Sequence, residues 1–235
     1  MKKIEAYLEC VRCHKHYDLS QVRYNCECGG ILDLVRDLSQ VDGGELKALW
    51  ESRWGQKRGA ASSGVWRYKE LIFDLPDEQI VTRQEGNTRL YDAGKAGVYA
   101  GLRHFQLKHE GENPTGSFKD RGMTCGTTAA KFYNAKTVAC ASTGNTSASM
   151  ASYAAVSGME SVIFIPEGKI AYGKLAQALA YGGRTLQIRG NFDDAMALVQ
   201  EVCRELNIYL LNSINPFRIE GQKAISSTGR CLTGL

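Results

Sequence analysis

The chain has 235 residues, 43% of them hydrophobic and 23% charged, with a formal net charge of +4. That is enough apolar material for one large or two small cored domains, and it excludes a disordered chain. No apolar run reaches the ~18 to 20 residues of a membrane span and MKKIEAYLEC has no apolar h-region, so a cytoplasmic protein without membrane contact is expected. Basic residues are scattered among acidic ones, which suits a small anionic metabolite better than a nucleic acid.

Residues 1–36 are rich in cysteine and turns, and hold four of the eight cysteines. CVRC at 10–13 and CEC at 26–28 are twelve residues apart, and GG follows the second pair. Two turns carrying Cys10, Cys13, Cys26 and Cys28 can set four thiolates around a structural Zn²⁺, which replaces a core too small to hold alone. The single spacer in the second pair departs from the commoner two. His14 and His16 are alternative ligands, and reduced, unliganded thiols are the plain alternative. A closed site of this kind leaves no open position for chemistry. Residues 37–80 form a connecting segment with Trp50, Trp54, Trp66 and the loop GAASSG.

From 81 to 235 β-branched runs alternate with helical stretches. TVACAS, SVIFIPEG, RTLQIRG and IYLLN read as strands. SFKDRGMTCGTTAAKFYN, NTSASMASYAAVSG, AYGKLAQALAYGG and NFDDAMALVQEVCRELN read as helices. The alternation predicts an α/β fold, a parallel sheet flanked by helices, with ligands beyond the carboxyl ends of its strands, where HEGENPTG and ASTGN are expected.

Ser117 and Asp120 fit a capping box, which puts Lys119 in the first helical turn. Phe118, Gly122, Cys125, Ala129 and Phe132 then recur at helical spacing as the buried stripe. The helix dipole and the neighbouring Arg121 both disfavour a protonated amine, so the Lys119 pKa is expected to fall. A neutral lysine can condense with an aldehyde; a solvated lysine at a helix start is the plainer alternative. In ASTGNTSAS, Asn145 is the expected N-cap. Ser142, Thr143 and Thr146 place hydroxyls near free backbone N–H groups, a corner suited to a carboxylate or phosphate or simply a well-capped helix.

ENPTGSFKDRGM resembles the lysine segment of the fold-type II pyridoxal-phosphate enzymes, the tryptophan synthase β-like group, and STGNTSAS resembles the loop that faces it there. CVRC…CECGGILD, GVWRYKELIF and NPFRIEGQK are similar to segments of the threonine synthases, and the resemblance runs from about residue 5 to 224. It implies a pyridoxal 5′-phosphate enzyme that makes L-threonine and phosphate from O-phospho-L-homoserine and water, and a homodimer. Lys119 would hold the cofactor aldehyde and carry protons, and Asn145 would contact the pyridine 3′-oxygen. Ser142, Thr143 and Thr146 would hold the substrate carboxylate, and Asn215, Arg218 and Lys223 the substrate phosphate. Cysteate synthases and threonine or serine dehydratases share the fold and stay open as alternatives, as does a remnant without catalysis.

Two departures stand out. In RQEGNTRLYDA, Arg89 replaces the proline of the family's EGNTPL turn, which leaves the backbone there less fixed. After GQKAIS the chain reads STGRCLTGL, with no Gly-rich loop of the GGN type for a cofactor phosphate. A C-terminally incomplete fold is therefore expected, one that binds the cofactor weakly.

Overall fold

A computed structural model describes residues 4–168 and 172–227; the STGRCLTGL tail, from its second residue (228) onward, lies outside the described residues. Strand β1 (Ala6–Cys10) pairs antiparallel with β2 (His16–Tyr17) on one side and β3 (Leu32–Arg36) on the other. Side chains of a strand alternate between faces, so Leu8, Leu32 and Leu34 point one way. They join the core that holds Trp66, Met123 and Met150.

Helix α1 (Gly43–Ser52) starts at Asp42, whose carboxylate accepts from the N–H groups of Gly44 and Glu45. Its far end is strapped to the 3₁₀ stretch Trp66–Leu71 through Glu70, which accepts from the Trp50 indole at 3.1 Å and from both Arg53 Nη atoms at 2.9 and 2.5 Å. The Trp66 indole is fully buried and donates to Thr124 Oγ1 at 2.7 Å. The tryptophan-bearing segment is thus stitched to the central helix by polar bonds made inside the core.

Strand β4 (Leu90–Asp92), helix α2 (Gly94–Ala100) and strand β5 (Gln106–Lys108) form a small antiparallel hairpin unit. The α/β region follows as α3 (Lys119–Phe132), β6 (Thr137–Ala141), α4 (Asn145–Ser157), β7 (Glu160–Pro166), α5 (Tyr172–Ala180), β8 (Arg184–Ile188), α6 (Phe192–Glu205), β9 (Tyr209–Leu210) and α7 (Pro216–Ser227). Its strands make one parallel sheet in the order β8-β7-β6-β9. The expected strand and helix alternation is therefore present. HEGENPTG, however, follows β5, which belongs to the hairpin and not to the parallel sheet; only ASTGN leaves the carboxyl end of a parallel strand. Among the described residues no helix is long and apolar enough to cross a membrane.

Helix α3 corrects a second expectation. Gly122, Cys125 and Ala129 are buried, but Phe118 and Phe132 at the ends of the expected stripe are 36% and 39% exposed. The helix is buried on all sides from Asp120 to Ala130, because it is packed between α4 and α7 and beneath Trp66. Small residues make the α3–α7 approach this close. A Cβ at Gly122 would lie 2.9 Å from the Arg218 carbonyl oxygen, and one at Gly221 would overlap the Arg121 carbonyl oxygen. Gly221→Ala must part the two helices. We expect it to cost about 1–3 kcal/mol, read as a lower urea midpoint with an unchanged slope.

Candidate active site

The NPTGS loop is held from two directions. Behind it, Asn113 accepts from Gly86 N at 2.9 Å and donates to Glu110 at 2.8 and 2.9 Å, and Glu110 forks with Arg121 at 2.7 and 2.9 Å. In front, the buried Asp120 carboxylate accepts from Thr115 N at 2.7 Å, Thr115 Oγ1 at 2.6 Å and Ser149 Oγ at 2.5 Å. Asp120 therefore does not close a capping box. Ser117 Oγ does accept from Lys119 N at 3.2 Å, but the acid reaches back to the loop and across to α4, tying Lys119's helix to the STGN helix. Arg121 likewise turns away from the lysine, into its pairing with Glu110.

Lys119 is half-buried, and among the described residues its Nζ meets no hydrogen-bond partner; it lies over the Phe118 ring, 4.0 Å from the centroid. Burial pushes the Lys119 pKa below the ordinary lysine value, and the charge of Arg218 adds to the fall. The expected direction holds with a different neighbour as the charge. Between the lowered pKa and the ordinary one the unfolded chain binds the extra proton, so this group makes the fold more stable as pH rises through that window.

The second corner forms where β6 ends. Asn212 mimics a peptide group there, accepting from Ala141 N at 2.9 Å and donating to Ala141 O at 3.0 Å, which fixes the chain just before Ser142. Ser142 Oγ accepts from Gly144 N at 3.2 Å. The N-cap of α4 is Gly144, without a side-chain cap, and Asn145 is an exposed first-turn residue rather than the expected cap. Its amide is left free to face a ligand, beside the uncapped N–H groups of the helix and the half-buried hydroxyls of Thr143 and Thr146.

The three residues of NPFRIEGQK behave differently from one another. Asn215 is buried and occupied, donating to Leu210 O at 2.9 Å and accepting from Arg218 N at 3.3 Å, so it shapes the start of α7. Lys223 is turned to Glu220 at 2.8 Å and lines a crevice with Trp50 and Tyr68, away from Arg218. Arg218 is buried and gives one bond, Nη1 to Leu211 O at 3.0 Å, while its Nε has no partner. Burial pulls its pKa down to about 10. Among the described residues the arginine is thus a buried cation without a carboxylate, close enough to Lys119 to weaken that amine's hold on its proton.

The sequence reading missed Lys174 and Gln177, which share a face of α5 at i, i+3 spacing. Lys174 Nζ donates to Thr115 O at 3.0 Å and to Gln177 Oε1 at 3.3 Å. Their spacing was visible in KLAQ; that the face meets the NPTG loop is a property of the packing. In the N-terminal ribbon the sulfurs of Cys10, Cys13, Cys26 and Cys28 all lie within 4.8 Å of one another, with Cys10–Cys28 at 3.6 Å and Cys13–Cys26 at 3.5 Å. The Tyr17 hydroxyl, 3.0 Å from the Cys26 sulfur, draws that thiol down to about 6.

Residues 81–227 match the family model described as pyridoxal-phosphate dependent enzyme. The chain is 48% identical over 217 residues to the threonine synthase of Methanocaldococcus jannaschii, covering 92% of this chain and 52% of that protein. It is 48% identical over 223 residues to the threonine synthase of Methanosarcina acetivorans, covering 93% and 51%. The chain spans about half the length of these relatives. Among solved structures, maize serine racemase superposes with a TM-score of 0.55 at 25% identity, over 61% of this chain and 44% of that one. A tomato threonine deaminase isoform gives 0.55 at 20% identity, over 80% and 45%.

Proposed function

The chain belongs to the pyridoxal-phosphate dependent enzymes and has their fold-type II architecture, and from that premise we propose that it serves the threonine synthase reaction, O-phospho-L-homoserine and water giving L-threonine and phosphate. The observation that carries the proposal is one amine beside one cation: Lys119, half-buried and free of hydrogen bonds, under the charge of the orphaned Arg218. The donor set fits the cofactor and a phosphate ester together, because a free, uncharged amine can condense with an aldehyde, releasing water, and a phosphate oxygen can accept the hydrogen bond that the buried Arg218 Nε does not give within the protein. Pyridoxal phosphate, when bound, supplies the electron sink.

In this reading Lys119 would hold the cofactor aldehyde until the amine of the substrate takes its place, and the amine so freed would move protons at the substrate Cα and Cβ. Asn145 holds the pyridine 3′-oxygen. Ser142, Thr143, Thr146 and the first N–H groups of α4 take the substrate carboxylate. Arg218 takes the substrate phosphate with its rigid fork, and Asn215 keeps Arg218's helix start in place. Lys223, paired with Glu220 at 2.8 Å, is left out of this proposal. Through Ser149, Asp120 ties the helix that carries Lys119 to the helix that opens at STGN, which supports this assignment.

The test is product analysis with pyridoxal phosphate present. From O-phosphohomoserine, threonine and inorganic phosphate are expected in equal amounts. No phosphate release, or cysteate formed from phosphoserine and sulfite, overturns the proposal. The further elements of this reading are a homodimer in the cytoplasm, which the mass in solution and cell fractionation check.

We also propose one structural Zn²⁺ at Cys10, Cys13, Cys26 and Cys28. Tetrahedral Zn–S bonds of ~2.3 Å put sulfurs about 3.8 Å apart, close to the observed 3.5 and 3.6 Å pairs. One zinc per chain is expected by elemental analysis. Stripping it should lower the melting temperature, by about 2–4 °C for each kcal/mol lost in a domain of this size. A chain that melts unchanged after chelation would show that the thiols are free.

A further inference from the structure

Among the described residues Arg36 pairs with Glu220, Arg53 with Glu70 and the fully buried Arg121 with Glu110, whereas two buried arginines meet no acid and are the exceptions. Arg218 is one exception and is used above. Arg67 is the other. It is 3% exposed, its Nε and Nη1 have no partner, and its Nη2 donates only to the Asn87 side-chain oxygen at 3.0 Å. The acid three residues on, Glu70, is already taken by Arg53 and Trp50. A charge withdrawn from water without a counter-charge is costly, and nothing described in the chain offsets it beyond the Trp54 ring, whose centroid lies 4.2 Å from the guanidinium carbon.

These groups line an open crevice of about 320 Å³, formed by Trp54, Gly55, Gln56, Arg67, Asn87 and Thr88. Trp54 forms its roof and is itself 66% exposed, an aromatic side chain stacked on a cation and otherwise in water. We propose that this crevice is a second binding site, for a small oxyanion whose oxygens complete the Arg67 guanidinium, Trp54 shifting to admit it. The planar guanidinium matches phosphate and carboxylate oxygens alike, while Asn87 Nδ2, which gives one N–H to Ser62 O at 2.9 Å, keeps a second to offer. Thr88 donates to Glu110 at 2.7 Å and accepts from Arg121 at 3.1 Å. An occupant therefore touches the network behind the NPTGS loop, although it makes no use of Lys119.

The experiment is done on the full chain carrying Arg218→Met, which removes the anion contact proposed for the substrate and so separates the failure of the two proposals. Tryptophan fluorescence is followed while sodium phosphate, or in a second arm sodium acetate, replaces sodium chloride at constant ionic strength. A saturable change is expected that disappears when Trp54→Phe is added and weakens by about tenfold or more with Arg67→Met, the loss of a charge-assisted pair. Phosphate alone responding assigns a phosphate, acetate alone a carboxylate, and both a general oxyanion site. Should Arg67→Met fail to fold, Asn87→Asp supplies an internal counter-charge in a left-handed backbone position, φ +53°, that aspartate tolerates, and it too should abolish the response. No saturable change in either arm, or a change that survives Arg67→Met or Asn87→Asp, overturns the site.

Discussion

Lys119→Ala is expected to lower turnover by at least the ~10²–10⁴-fold that a positioned proton carrier contributes, and to leave the fold intact. Two facts set these expectations apart. The amine accepts and donates no hydrogen bond among the described residues, so its removal orphans nothing and relieves a charge that burial already disfavours. The residues that hold the loop, Asp120, Thr115 and Ser149, bond through other atoms, so the STGN corner survives the change. Borohydride reduction in the presence of pyridoxal phosphate, followed by peptide mapping, reads the outcome directly. The tag belongs on Lys119 in the parent chain and is absent from the variant. A tag of equal yield on another lysine, or unchanged threonine formation by Lys119→Ala, would remove the amine from the reaction.

How far this could be read from the residues depends on where each group's partners lie in the chain. The α/β rhythm of 137–210 was legible, because strand and helix periods are local and the small-residue helix NTSASMASYAAVS announces close packing. The Cys10, Cys13, Cys26 and Cys28 cluster was legible for the same reason: its spacing carries its geometry. The wrong expectations came from assigning groups to their chain neighbours. Arg121 is next-but-one to Lys119, yet its charge is spent on Glu110, eleven residues away. Asp120 looks like a capping acid, yet its partners are Thr115 and Ser149. The hairpin β4–β5 hides the true end of the parallel sheet, because three-residue strands carry no periodicity to read.

What brings Arg218 to Lys119 is the thinness of the α3–α7 contact. Gly122 and Gly126 face Arg218's backbone and stem, with the Gly126 Cβ position 3.0 Å from Arg218 Cγ. A larger residue would collide with the Arg218 carbonyl oxygen at Gly122, or with its side-chain stem at Gly126, and so displace the arginine. Helix packing thereby sets an electrostatic quantity, the proton affinity of a lysine almost a hundred residues earlier in the chain. The motif NPFRIEGQK names the arginine; only the glycines on the opposing helix say what it touches.

Arg218→Met should therefore separate function from stability. The buried cation carries an unpartnered Nε and a pKa pulled down to about 10, so at neutral pH the folded chain bears the cost of keeping it charged, and methionine removes that cost. Against this, Leu211 O loses its Nη1 donor, at about 1–3 kcal/mol for a carbonyl left unsatisfied. The two effects oppose each other, and the melting temperature is expected to move little. Function should move much more. Loss of one partner from a desolvated charged pair costs about 2–5 kcal/mol, which raises KM for the phosphorylated substrate by roughly thirtyfold to several thousandfold. The Lys119 amine loses the positive charge that lowers its pKa, so the acid limb of the pH–rate curve shifts to higher pH, whereas Arg218→Lys keeps the limb in place and restores binding only in part. A variant that unfolds, or one that binds substrate normally with an unshifted limb, would make Arg218 a packing residue and leave the substrate phosphate without its holder.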